Sequence, residues 1–95
     1  MYIRLVRGQA QPGQVEELAR RWQAFWGEQM PQISGFRHAH FAAGQEANAI
    51  LSMSVWEQRP DQATMEPLMQ QFQSQVRDIS AGPPVFEEYE TLADF

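Results

Sequence analysis

Ninety-five residues with a formal charge of -5 and no cysteine bound the protein before any motif is read. A chain this short supports one hydrophobic core, and a 43% hydrophobic fraction with three Trp, six Phe and two Tyr is enough to build it, which argues against disorder. The lack of Cys removes disulfide frameworks, thiolate metal sites and cysteine nucleophiles. Seven scattered Arg, without a Lys, face twelve acidic residues and exclude a phosphate-backbone partner, so no nucleic acid is expected. The first residues, Met1 to Arg7, are broken by Arg4 and Arg7 and form neither a signal peptide nor a membrane span. A cytoplasmic protein with no membrane partner is expected.

Residues 1 to 8 alternate, with Tyr2, Arg4 and Val6 on one side and Ile3, Leu5 and Arg7 on the other, which predicts a strand. Pro12-Gly13 breaks it. Val15, Leu18, Trp22, Phe25 and Gln29 or Met30 then recur at helical spacing. Pro31 and Ser34-Gly35 end that helix. Phe36 to Ala43 reads as a second strand, Gly44-Gln45-Glu46 as a turn, and Asn48 to Glu57 as a third strand, together a hairpin. Asp61 is placed to cap a second helix carrying Met65, Leu68, Met69, Phe72, Val76 and Ile79. Pro67 predicts a short helix before it and the main one from it. Gly82-Pro83-Pro84 stops this helix, and Val85 to Phe95 reads as a last, acidic edge strand with solvated Glu87, Glu88 and Glu90.

The order strand, helix, strand, strand, helix, strand is the split βαβ pattern of an α+β, ferredoxin-like domain with a four-stranded antiparallel sheet. Two helices cover one sheet face. The third strand carries large residues on both sides, Leu51, Met53 and Val55 against Ile50 and Trp56, so the uncovered face calls for a second sheet. The protein is therefore expected to associate with itself, as a homodimer or higher, in an α/β barrel.

His38 and His40 lie two apart on the second strand and are the obvious general bases for deprotonating a phenol. A one-residue change of hairpin register would carry both between the two sheet faces. Two ligands without a third make no metal site, and no resident metal is expected. No Gly-rich phosphate loop follows a strand, which disfavours nucleotide cofactors. Arg7 could meet a ligand's anionic group at the sheet end or simply extend to solvent. Trp56 could stack on an aromatic substrate or fill the core. Arg77 reads as an ordinary surface cation.

Three strings carry a resemblance: Pro12-Gly13-Gln14-Val15-Glu16-Glu17-Leu18, Ile33-Ser34-Gly35-Phe36, and Ser54-Val55-Trp56-Glu57. In element order the chain resembles the antibiotic-biosynthesis monooxygenase-like family of dimeric α/β barrels. The resemblance implies a homodimer with a pocket between sheet and helices, and cofactor-independent oxygenation of a small aromatic or quinol-type molecule. Trp56 matches the pocket Trp of those enzymes, and Ser52 stands where members acting on aromatic polyketides carry Asn. In this reading His38, His40 and Trp56 are catalytic, while Arg7, Ser52 and Phe72 contact substrate. The haem-degrading relatives need an Asn near the end of the first strand and a His on the second helix. This chain has Arg7 at the one and no His at the other, so haem is not expected. A non-catalytic ligand-binding or scaffold protein of the same fold is the alternative.

Overall fold

The alternation of Tyr2, Arg4 and Val6 with Ile3, Leu5 and Arg7 is realised as β1 (Tyr2–Gln9) of a computed structural model that describes residues 1–95. There follow α1 (Val15–Gln29), a 3-10 turn (Met30–Gln32), β2 (Phe36–Ala43), β3 (Ala49–Trp56), α2 (Gln62–Gln75) and β4 (Val85–Glu90). The strands form one antiparallel sheet in the order β2-β3-β1-β4, the ferredoxin-like α+β arrangement that the element order predicts.

α1 buries Leu18, Trp22, Phe25 and Trp26, a stripe at three- and four-residue steps. Its exit is turned by Gly35 at φ +87°, a left-handed conformation that costs Gly little. α2 departs from expectation, because it runs unbroken through Pro67. The ring removes one backbone donor and crowds the preceding turn. Met65 on one side of it and Leu68, Met69 and Phe72 on the other all pack on one aromatic cluster, so burial holds the backbone helical across the defect. Asp61 is the N-cap, and its carboxylate accepts from the Thr64 hydroxyl at 3.0 Å instead of from backbone. α2 stops at Gln75, and Val76 and Ile79 are buried in the irregular turn that follows. β4 also ends early. Glu90 already pairs with Tyr2, the first residue of β1, so after the Thr91 N–H reaches the Met1 carbonyl there is no strand left to pair with.

The hairpin register contains the decisive irregularity. Phe36 pairs with Trp56, but His38 pairs with the adjacent Val55, so β2 spends two residues where β3 spends one. This bulge at Arg37 reverses the alternation. Phe36 and then Ala39 and Phe41 face the helices, while His38, His40 and Ala42 face away.

The core lies between sheet and helices in two pieces. One comprises Trp22, Phe25, Trp26, Met30, Trp56 and Met65, the other Ala10, Leu18, Val76 and Ile79, and Phe41 and Phe72 pack against both. No helix is long and apolar enough to cross a membrane.

Candidate functional site

A cavity of about 390 Å³ occupies the seam between the two core clusters, within the range of small-molecule sites. Its floor is the helix-facing side of the sheet, where Val6, Gly8, Ile50, Ser52 and Phe41 alternate inward. Leu18, Trp22 and Trp26 of α1, Met69 and Phe72 of α2 and Val76 just beyond its end form the walls. Gly8 contributes to the room: a Cβ there would come within 3.5 Å of the Ile50 side chain. The mouth lies where the chain leaves α2 and enters β4, at Arg77, Ser80, Gly82, Pro84 and Phe86.

The rings that line this space are held by one another. Trp22 lies 5.5 Å from Phe41, and Phe72 is 5.6 Å from Phe25 and 6.0 Å from Trp26, distances typical of favourable aromatic pairs. The Trp22 Nε1–H donates to the Ser52 Oγ at 3.0 Å, which leaves the serine hydrogen to be donated to a bound molecule. Arg77, exposed at the mouth, is the one arginine without a carboxylate partner.

Of the residues singled out from the sequence, Ser52 and Phe72 line the cavity and the other four do not. Trp56 is 0% exposed, sits edge-on to Phe36 at 5.3 Å, and donates its Nε1–H to the buried Ser54 Oγ at 2.8 Å. It is a packing residue one layer from the cavity. His38 and His40 are turned by the Arg37 bulge onto the open sheet face, where their exposed rings stand 5.2 Å apart. Within the chain neither lines the cavity. Arg7 shares that open face and its Nε donates to Glu87 at 2.6 Å. No three His, Asp or Glu side chains converge as a metal site would require.

The charged residues beside the cavity are those that sequence reasoning passed over. Arg4 and Glu88 pair across β1 and β4 on the helix-facing side, next to the pair Val6 and Phe86. Here Glu88 is engaged, not simply solvated: its Oε2 accepts from the Tyr2 hydroxyl at 2.5 Å and lies 3.2 Å from Arg59, and its Oε1 is 3.5 Å from the Arg4 Nε. The hydrogen bond to Glu88 pushes the Tyr2 phenol up, since it favours the protonated form. Burial pushes the Arg4 guanidinium down, only partly countered by Glu88. A polar recess of about 520 Å³, lined by Arg4, Arg59, Glu66 and Glu88, adjoins the apolar cavity and shares Met69, Gln73 and Phe86 with it. The signal was present in the period-two alternation of Tyr2, Arg4 and Val6 and of Phe86 and Glu88, but their facing depended on where the helices dock.

No family model matches the sequence, and no curated protein does. The structure has clear counterparts. A monooxygenase from the gene ActVA-Orf6 of Streptomyces coelicolor, solved with nanaomycin D, superposes with a TM-score of 0.79 at 17% identity, covering 99% of this chain and 89% of the other. A Nitrosomonas europaea protein described as a candidate antibiotic biosynthesis monooxygenase gives 0.74 at 14% identity, with 98% and 100% covered. SnoaB, a cofactor-independent oxygenase from Streptomyces nogalater, gives 0.65 at 14% identity, with 98% and 94% covered. Identities this low speak for architecture and leave activity open. With its strand order, its paired helices and these counterparts, the chain has the monooxygenase-like fold of the antibiotic-biosynthesis monooxygenases.

Proposed function

We propose that the protein is a cofactor-independent monooxygenase-like enzyme acting on a small aromatic or quinol-type molecule bound between the sheet and the helices. The observation that carries this reading is the cavity of about 390 Å³ walled by Trp22, Trp26, Phe41 and Phe72, whose floor offers the Ser52 hydroxyl as a polar handle. Such a space suits a flat apolar body with an oxygen at one edge. Rings fixed by mutual packing present a preformed surface, so binding orders little of the protein.

In the simplest reaction of this class an anthrone loses a proton, its carbanion combines with dioxygen, one oxygen stays in the quinone product and the other leaves as water. The residues in place would orient the ring through Phe72 and Trp26 and donate from Ser52 to the substrate oxygen. The cavity contains neither His nor carboxylate, so the proton leaves through the mouth to solvent. Rate should then follow ionisation of the substrate, and His38→Ala with His40→Ala should leave the pH profile unchanged.

That same lack of an interior base favours a second reading, a non-catalytic ligand-binding protein on this fold. Oxygen uptake with anthrone separates the two. An enzyme consumes one dioxygen per anthraquinone formed. Gly8→Val, which grows a side chain into the floor at a backbone conformation any residue adopts, abolishes this while the protein stays folded. A binder takes up anthrone, loses it in Gly8→Val, and consumes no oxygen. Failure of anthrone to bind at all would remove both readings. Self-association through the open sheet face is part of the proposal.

A further inference from the structure

Charge is unevenly placed around the groove between α2 and the sheet. Arg4, Arg59 and Arg77 line the cavity and its recess against Glu66 and Glu88, whereas the whole chain carries -5. A negatively charged solute therefore meets net positive charge at this groove while the rest of the surface repels it.

Arg4 stands apart from the other two. Its side chain is only 12% exposed, the one carboxylate that reaches it is 3.5 Å away, and its NH2 donates to the thioether of Met69 at 3.2 Å. A guanidinium offers five donors in a fork that matches a carboxylate, and sulfur is a weak acceptor. Most of the donor capacity of a largely desolvated cation is thus unused. Glu88 cannot close on Arg4 as a two-oxygen partner, because its Oε2 is already held by the Tyr2 hydroxyl and Arg59. The donors of Arg4 that make no protein hydrogen bond open on the recess, where an acceptor on a bound molecule can meet them. The register places this cation one inward-facing step from Val6 and Phe86, about 7 Å along the strand. Met69 and Phe86 border both spaces, so a molecule in the apolar cavity can extend into the recess without crossing another layer.

We infer that the site takes an aromatic carboxylate, its rings in the apolar cavity and its anionic group on Arg4, with Arg59 at the outer edge of the recess. This rests on the cavity being a ligand site, and it adds the charge and direction of the ligand. Binding is paid for by the acceptor that Arg4 lacks, not by displacement of Glu88, which keeps its bonds to Tyr2 and Arg59.

The test is calorimetric titration of the intact protein with 2-naphthoate and with the neutral, nearly isosteric 2-naphthamide. Wild type is expected to bind the acid about tenfold or more tightly than the amide, the scale of one charge-assisted contact. High salt should erode this preference without weakening the amide. Arg4→Gln should bring the two affinities within about twofold of each other with amide binding unchanged, and Arg77→Gln should keep the preference. Arg4→Lys, which retains charge but not the fork, should fall between. If Arg4→Gln does not fold, the wild-type comparison, its salt dependence and Arg4→Lys still decide. Equal affinities in wild type overturn the inference while leaving the cavity a ligand site. So does a preference that survives Arg4→Gln or disappears in Arg77→Gln. Binding of neither probe overturns the inference and the ligand-site reading together.

Discussion

Glu17 shows how much a surface carboxylate can be altered by its place on a helix. On α1 it accepts from Arg20 one turn on, at 2.9 Å, and from Arg21 at 2.8 Å, and Arg21 in turn reaches Asp78 at 2.9 Å and the Gln75 carbonyl at the end of α2 at 3.0 Å. The hydrogen bonds from Arg20 and Arg21 lower the Glu17 carboxyl from 4.5 to about 2, and Arg21 likewise lowers Asp78. A folded-state value below the unfolded one means that the unfolded chain binds more protons, so the contribution is complete above about pH 4.5 and fades as pH falls toward 2. Glu17→Gln should therefore melt below wild type at neutral pH by a margin that shrinks across this window and disappears at its acid end. A margin that stays constant in thermal melts at each pH would show that the cluster is not formed in solution. The pair is exposed and screened, so the margin should also narrow at high salt.

At the level of elements, α2 is the informative case. Pro67 is exposed, gives up one backbone hydrogen bond and contributes no packing to the core. Pro67→Ala should restore that bond without opening a cavity and raise stability by about 1 to 3 kcal/mol, read as a shift of the urea midpoint at constant slope. A destabilised variant would mean that Pro67 shapes α2 for the groove, and ligand affinity should then fall with it. β2 gives the complementary lesson. Its composition reads as a strand from Phe36 to Ala43, as found, yet the bulge at Arg37 decides which of its residues meet the helices. Had alternation continued from Phe36, which packs on Trp56, His38 and His40 would have pointed into the protein.

For the whole molecule, the open sheet face is the unfinished part. Ile3, Leu5, Leu51 and Met53 lie there half-buried, and Val85 and Tyr89 on β4 are 57% and 48% exposed. Antiparallel sheets that cover one face with helices commonly leave the other to water, but this one is apolar across its middle. A second copy packed sheet to sheet would bury it and place the His38 and His40 rings at the contact. Sedimentation should report a dimer for wild type and a monomer for Met53→Glu, which buries a charge at the centre of such a contact. A monomeric wild type would sink the dimer while leaving the cavity, which one chain completes, unaffected.

The periodicities of Tyr2 to Arg7, of Val15 to Gln29 and of Met65 to Phe72 are local properties of the chain, and they sufficed to determine the elements, their order and hence the fold. Period two along β3 and helical spacing along α2 give the faces of Ser52 and Phe72, while a pocket at those faces came from the resemblance, and both residues line the cavity. The facing of His38 and His40 could not be assigned, since a single extra residue at Arg37 reverses every side chain after it and leaves no mark in composition. Nor could the partnership of Arg4 with Glu88, 84 positions apart in the numbering, or the gap between two core clusters that makes the cavity. Those arise only when β4 pairs with β1 and α2 docks over the seam, because long-range contact is a property of the packed chain and not of any segment of it.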